Sequence, residues 1–297
     1  MKMPKLLRQG DTVAIIATSG PCDPERLDTG LEIIKAMGLV PWVMESCRSR
    51  HGFLAGTDDI RLKDLHTAFA APDVRGIFVA RGGYGAARLL PYIDFDLIRN
   101  NPKVFVGYSD VTALHIAINQ RCGFITFHGP MSAVDFSKEI HPLTLESFKR
   151  MIFEGIAPPL SGVTIIPGRA RGPLTGGNLS LLTASIGTPF ELDTRGKILF
   201  IEEIDEEPYS VDRMLLQLKH AGKFKDAAGI LLGDFTPQTL ETLHISINEL
   251  IIPEKKPTLA GLACGHTSPN FTLPLGATVE LISDLPFGIR FLLYPSK

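Results

Sequence analysis

Short, continuous apolar runs alternate through the first half of the chain with stretches in which apolar residues recur every three or four positions. The runs are Val13 to Ala17, Gly76 to Ala80 and Val104 to Val106. The first periodic stretch, Asp23 to Met37, puts Leu27, Leu31 and Ile34 on one stripe. With Asp23 as N-cap, Pro24 in the first turn and Gly38 at the stop, it predicts a helix. A second helix is expected from Thr57 to Ala71, with Leu62, Leu65 and Phe69 facing inward and Pro72 ending it. Strands without polar alternation are expected where both faces are covered, as in a parallel sheet flanked by helices. From about Glu154 to Gly177 the pattern stops, and Pro158, Pro159, Gly162, Pro167, Gly168, Gly172, Pro173, Gly176 and Gly177 read as a linker. It resumes with a strand at Lys197 to Glu202, a helix from Pro208 to about Ala221, and a strand at Gly229 to Asp234. Short strands follow near Leu259 to Cys264, Thr278 to Ile282 and Ile289 to Leu293. The expectation is an α/β protein with an N-terminal domain over 1–153, a linker over 154–177 and a smaller C-terminal domain over 178–297.

Composition narrows the partners. The 297 residues suffice to bury a core, and the net charge of −2, with no Lys/Arg run, gives no reason to expect nucleic acid or a membrane surface. A small soluble substrate is expected instead. Four cysteines, Cys22, Cys47, Cys122 and Cys264, lack the pairing of a zinc site and the density of a disulfide scaffold. Lys2, Lys5 and Arg8 precede an apolar run too short for a secretory signal, so a cytoplasmic location is expected.

The chemistry concentrates at turns after apolar strands. Ser109 in Gly107-Tyr108-Ser109-Asp110 stands between the strand Val104 to Val106 and a helical stretch from Val111 to Asn119. A hydroxyl there projects over the carboxyl edge of a sheet, facing a helix N-terminus, and this suggests acyl transfer. Such a serine needs a base, usually a histidine oriented by a carboxylate. Of eight histidines, His51, His66, His115, His141, His220 and His244 read as surface or helix filler. His128 ends a strand, and a structural turn role competes with lining a site. His266 stands out, in the turn-rich Cys264-Gly265-His266-Thr267-Ser268-Pro269-Asn270. For the carboxylate, Glu202, Glu203, Asp205, Glu206 and Glu207 cluster after one strand. Glu202, its last residue, is the best placed, with a solvated acidic loop as the plain alternative. No Asp/Asn/Gly spacing supports a metal loop there, so no metal is expected. Gly83-Tyr84-Gly85-Ala86-Ala87-Arg88 imitates a dinucleotide fingerprint but carries Arg88 where the third glycine belongs. An oxyanion-binding turn, completed by the amide of Asp110, and a plain tight turn both remain open.

Taken together the motifs resemble the LD-carboxypeptidases, serine peptidases that include murein tetrapeptide carboxypeptidases and microcin C immunity peptidases. The resemblance runs through Ala17-Thr18-Ser19-Gly20-Pro21, Ala80-Arg81-Gly82-Gly83-Tyr84-Gly85, Gly107-Tyr108-Ser109-Asp110, His128-Gly129-Pro130 and Gly176-Gly177-Asn178-Leu179. It continues through Leu199-Phe200-Ile201-Glu202-Glu203, Asp212-Arg213-Met214-Leu215, Gly265-His266 with Pro269-Asn270, and Leu273-Pro274-Leu275-Gly276. It implies a triad of Ser109 as nucleophile, Glu202 as orienting carboxylate and His266 as base, with an oxyanion hole from Gly82 or Gly83 and Asp110. Glu203 stands where the family usually has aspartate. The implied fold is a flavodoxin-like parallel sheet joined to a smaller β-rich α/β domain, with the site in the cleft between them. The implied substrate is a murein tetrapeptide, from which terminal D-alanine is released, and Arg81 is a candidate partner for its free carboxylate, against a structural helix-end role. A homodimer and no cofactor are likewise implied. Three alternatives stand beside this reading: an immunity-type peptidase acting on peptidyl or aminoacyl nucleotides, expected to carry an extra loop with base-stacking aromatics where the chain has a single tryptophan, Trp42, early and away from the motifs; a dinucleotide-binding oxidoreductase; and a non-catalytic binding module, against which the intact Ser109, Glu202 and His266 argue.

Overall fold

The computed structural model describes residues 1–136, 139–285 and 287–293. Its first sheet is built from β1 (Thr12–Ile16), β2 (Val40–Val43), β3 (Val74–Val79), β4 (Val104–Gly107) and β5 (Thr126–His128), in the spatial order β2-β1-β3-β4-β5 and all parallel. That is the flavodoxin-like order, which opens its crevice beyond the carboxyl ends of the strands. The unbroken apolar runs have a direct cause. Val13, Ile15, Phe78, Val106 and Phe127 pack into one core, while Ala14, Ile16, Ile77, Val79 and Phe105 pack into a second on the opposite face. The helix Pro24–Ala36 is capped as its sequence indicates, with the Asp23 carboxylate accepting from Arg26 N at 3.0 Å. The helix Asp58–Ala70 starts from Thr57, and besides Leu65 and Phe69 it buries Arg61 and Asp64.

The second sheet contains β6 (Val163–Ile166), β7 (Arg169–Asn178), β8 (Ile198–Glu202), β9 (Gly229–Leu232), β10 (Thr258–Ala260), β12 (Thr278–Ile282) and β13 (Ile289–Leu292). A further strand, β11 (Leu273–Leu275), leaves it and pairs antiparallel with β5 on the first sheet. The two halves are therefore interleaved: a strand from the C-terminal half closes the N-terminal sheet.

The stretch 154–177 is not a linker through most of its length, and this corrects the expectation. Within it 155–162 and the two residues 167–168 are irregular, while β6 and β7 occupy 163–166 and 169–177. The glycines of β7 serve close approach instead of flexibility. A Cβ on Gly176, at φ +123°, would lie 1.9 Å from the carbonyl oxygen of Phe200 on β8. Among the described residues no helix is long and apolar enough to cross a membrane.

Candidate active site

Ser109 occupies a strained turn. After β4 the chain passes through Tyr108 in an extended conformation, and Ser109 then adopts φ +63°, in a region that L-residues other than Asn and Asp rarely enter. A 3₁₀ turn, Ser109–Val111, leads into the helix Thr112–Cys122, whose N-terminal end faces the serine. The strain points the half-buried hydroxyl at the glycine turn after β3. A Cβ placed on Gly82 would lie 2.9 Å from both Cβ and Oγ of Ser109, so only glycine leaves the hydroxyl its place. The N–H groups of Gly82 and Gly83 donate to no carbonyl among the described residues. The Asp110 side chain braces this arrangement from behind by accepting from Ala86 N at 2.7 Å, and burial holds its carboxyl above the usual range. Arg81 points elsewhere: its exposed guanidinium donates to the Pro21 carbonyl at 3.0 Å.

Glu202 and His266 come together from opposite ends of the second half. The buried Glu202 carboxylate closes β8, and its Oε2 lies 2.7 Å from His266 Nδ1. Gly265, at φ +110°, makes this approach feasible, because a Cβ there would sit 2.6 Å from that same oxygen. Asn270 Oδ1 accepts from Gly265 N at 3.0 Å, and the loop is pinned to the first lobe where Asn270 N donates to Thr144 Oγ1 at 2.8 Å. Burial raises the Glu202 carboxyl, and the His266 contact pulls it part of the way back. For His266 burial acts to lower the pKa, but the hydrogen bond and charge of Glu202, with the charges of Glu203 and Asp135, outweigh it, and the net direction is up. Glu203 faces away, accepting from Asn178 Nδ2, Ser180 N and Ser180 Oγ at 2.7–2.8 Å. It fixes the start of a short helix and leaves the acid–base pair to Glu202.

Tyr108 joins the two sides. Its ring lies 4.8 Å, centroid to centroid, from that of His266, so the imidazole packs on the residue immediately before Ser109. No hydrogen bond links Ser109 Oγ to His266 among the described residues, a looseness common in substrate-free sites. A cleft of about 450 Å³ opens beside the pair, lined by Tyr108, Asp135, Glu139, Thr236, His266 and Ser268. Asp135 carries no local signal in the sequence, and Tyr108 stood there only as a neighbour of Ser109 with no role of its own. Both are coupled here, the phenol hydroxyl lying 3.3 Å from Asp135 Oδ1. The arrangement offers a hydroxyl beside amides that donate to no carbonyl among the described residues, and a carboxylate-oriented imidazole, the parts of an acyl-transfer centre.

Comparison with known proteins places the chain in a family. Residues 13–129 match the LD-carboxypeptidase N-terminal domain, and residues 171–281 match the LD-carboxypeptidase C-terminal domain. The chain is 49% identical over 289 residues to a probable murein peptide carboxypeptidase of Bacillus subtilis, covering 94% of this chain and 91% of that protein. The muramoyltetrapeptide carboxypeptidase of Oxalobacter formigenes superposes with a TM-score of 0.83 at 31% identity, over 96% of this chain and all of that one (100%). A microcin C7 self-immunity protein bound to aspartyl sulfamoyl adenosine superposes with a TM-score of 0.87 at 26% identity, over 99% of each chain.

Proposed function

The chain belongs to the LD-carboxypeptidase family, and from that premise we propose that it is a serine-type carboxypeptidase releasing terminal D-alanine from murein tetrapeptides. The observation that carries the reading is the 2.7 Å Glu202–His266 hydrogen bond packed, through Tyr108, against the strained turn of Ser109. His266 Nε2, which has no protein partner among the described residues, takes the Ser109 proton as Oγ attacks the carbonyl of the scissile amide. The amides of Asp110 and of Gly82 or Gly83 receive the oxyanion. His266 then passes its proton to the departing D-alanine amine and activates water for deacylation, while Glu202 holds Nδ1–H and stabilises the imidazolium.

The immunity-type reading draws on the likeness to the microcin self-immunity protein. Trp42 weighs against it, since it lies on β2 at the far edge of the first sheet from β4 and β5. The deciding experiment incubates the purified protein with L-Ala-γ-D-Glu-meso-diaminopimelate-D-Ala and, separately, with aspartyl sulfamoyl adenosine, following products by mass spectrometry. D-Alanine release by the parent, and none above background for Ser109→Ala, is expected. Full activity in Ser109→Ala would end the serine mechanism, and cleavage of the nucleotide alone would move the protein to the immunity type.

A further inference from the structure

A second histidine lies behind the acid–base pair. His128 ends β5, directly beside Gly107 at the end of β4, and its side chain is 1% exposed. Its Nε2 is 4.0 Å from Glu202 Oε1, the carboxylate oxygen that His266 does not use. Neither ring nitrogen of His128, nor Glu202 Oε1, has a hydrogen-bond partner among the described residues. Buried polar atoms are seldom left so, and a ring nitrogen that can donate lying next to an anionic acceptor, both unpartnered, points to a shared purpose. The separation exceeds hydrogen-bond length by about 1 Å, a gap that a small side-chain rotation closes.

The surroundings select the protonation state. Aromatic rings enclose His128, with Tyr108 at 5.6 Å and Phe200 at 5.2 Å, and the same Tyr108 ring touches His266. Burial, then His115 and His266 nearby, keeps the imidazole neutral. The ionisable groups acting on Glu202 and His266 from the other elements are Glu203, Asp135, Tyr108 and Cys264. None of them donates to Oε1.

We propose that His128 is a positioning residue for the acid–base pair: as a neutral imidazole it directs Nε2–H at Glu202 Oε1, fixing the carboxylate while Oε2 holds His266. A neutral donor stabilises the anion without adding a cation to compete with the imidazolium of His266. The inference rests on the roles given above to Glu202 and His266.

The test compares His128→Phe, which fills the space without an N–H, with His128→Gln, which keeps a donor. Losing the donor to a buried anion is expected to lower kcat roughly tenfold to a hundredfold in His128→Phe. The acid limb of kcat/KM is expected to move to lower pH, because a less firmly ionised Glu202 raises His266 less. His128→Gln is expected to recover most of the rate and the parent limb. Parent rate and profile in a folded His128→Phe, with Ser109→Ala and Glu202→Gln inactive, would overturn the proposal and leave the hydrolase reading standing. So would equal losses in both variants with an unmoved limb. Independently of activity and of any variant's folding, the ¹⁵N shifts of histidine-labelled parent protein should show His128 neutral and protonated on Nε2 at pH 7. A Nδ1-protonated or charged ring would also overturn it.

Discussion

On the serine side of the cleft no side chain among the described residues hydrogen-bonds the reacting group: Ser109 is aimed by its own φ of +63° and by the missing Cβ of Gly82. On the histidine side the backbone does little beyond the turn at Gly265. There the reacting ring is aimed by a carboxylate 2.7 Å away, itself wholly buried. One half of the site is therefore made by shape and the other by charge. Each half is thus vulnerable to a different change. An added methyl group should disable the first without touching its ionisation, and an isosteric loss of charge should disable the second without touching its shape.

Glu202→Gln breaks the charged half alone and carries the largest expected effect. Removing the orienting carboxylate of a serine triad costs about 10⁴-fold in kcat. Because Glu202 is the main group raising His266, the acid limb of kcat/KM should also shift to lower pH. A pH–rate profile checks both, and a variant with the parent limb would show that Glu202 does not set the base. Gly82→Ala is the matching strike at the shaped half. The backbone of Gly82 lies outside the left-handed region, so alanine brings no conformational strain. Its Cβ would instead push on Ser109 Oγ, and we expect a loss of about 10²–10³-fold in kcat with an unmoved acid limb. Thermal melting and steady-state kinetics test this, and an undiminished kcat would mean that the hydroxyl needs no such pocket.

The same division explains what could be read from the sequence. The central parallel strands β1, β3 and β4 were legible because burial on both faces leaves them uniformly apolar, and Ser109 was legible because a small polar residue between such a strand and a helix has few other uses. β7 was not. Its glycines are demanded by close contacts with β8 and with Thr112, and composition alone cannot distinguish those from a flexible linker. β2 contains Pro41 and lies exposed at a sheet edge, and β11, with Pro274, gains its identity only by pairing with β5 from the other half of the chain. Among the five clustered acids the sequence favoured Glu202 by its place on a strand. What separates it from Glu203 in three dimensions is the direction of each carboxylate, one toward His266 and the other toward Ser180.

His115 sharpens the contrast, because the shaped half rests on a buried histidine that read as helix filler. Its Nε2 and Nδ1 lie 2.8 Å from Gly107 O and Thr126 Oγ1, tying the helix after Ser109 to β4 and β5. Burial pushes its pKa down to about 4. A histidine with a depressed folded pKa contributes fully above its unfolded value, near 6.5, and loses that contribution as the pH falls toward 4, because the unfolded chain takes up the proton first. The advantage in unfolding free energy of the parent over His115→Gln should shrink by on the order of 3 kcal/mol between pH 7.5 and 4. Taking the difference cancels the opposite slopes of Asp110, Asp135 and Glu202, whose carboxyls burial raises. Denaturant unfolding at the two pH values measures it, and a constant difference would mean that His115 is not held neutral.

The smallest expected effect concerns how the two halves are held in register. Gly177, at φ +142°, lies where β7 passes the first lobe, and a Cβ there would sit 2.5 Å from Thr112 Oγ1. That hydroxyl accepts from Asn178 N at 3.0 Å, three residues along the chain from Ser109. Gly177→Ala should therefore displace the lobes against each other without touching any residue of either half. A misplacement of about 1 Å costs on the order of a hundredfold, and the clash here can be shared among several contacts, so a loss of roughly tenfold to a hundredfold in kcat is expected. The acid limb must stay where the parent has it, since the Glu202–His266 pair travels as a unit. A limb that moved with Gly177→Ala would mean that the charge of the pair depends on the seating of the lobes, and the division between a half made by shape and a half made by charge would fail.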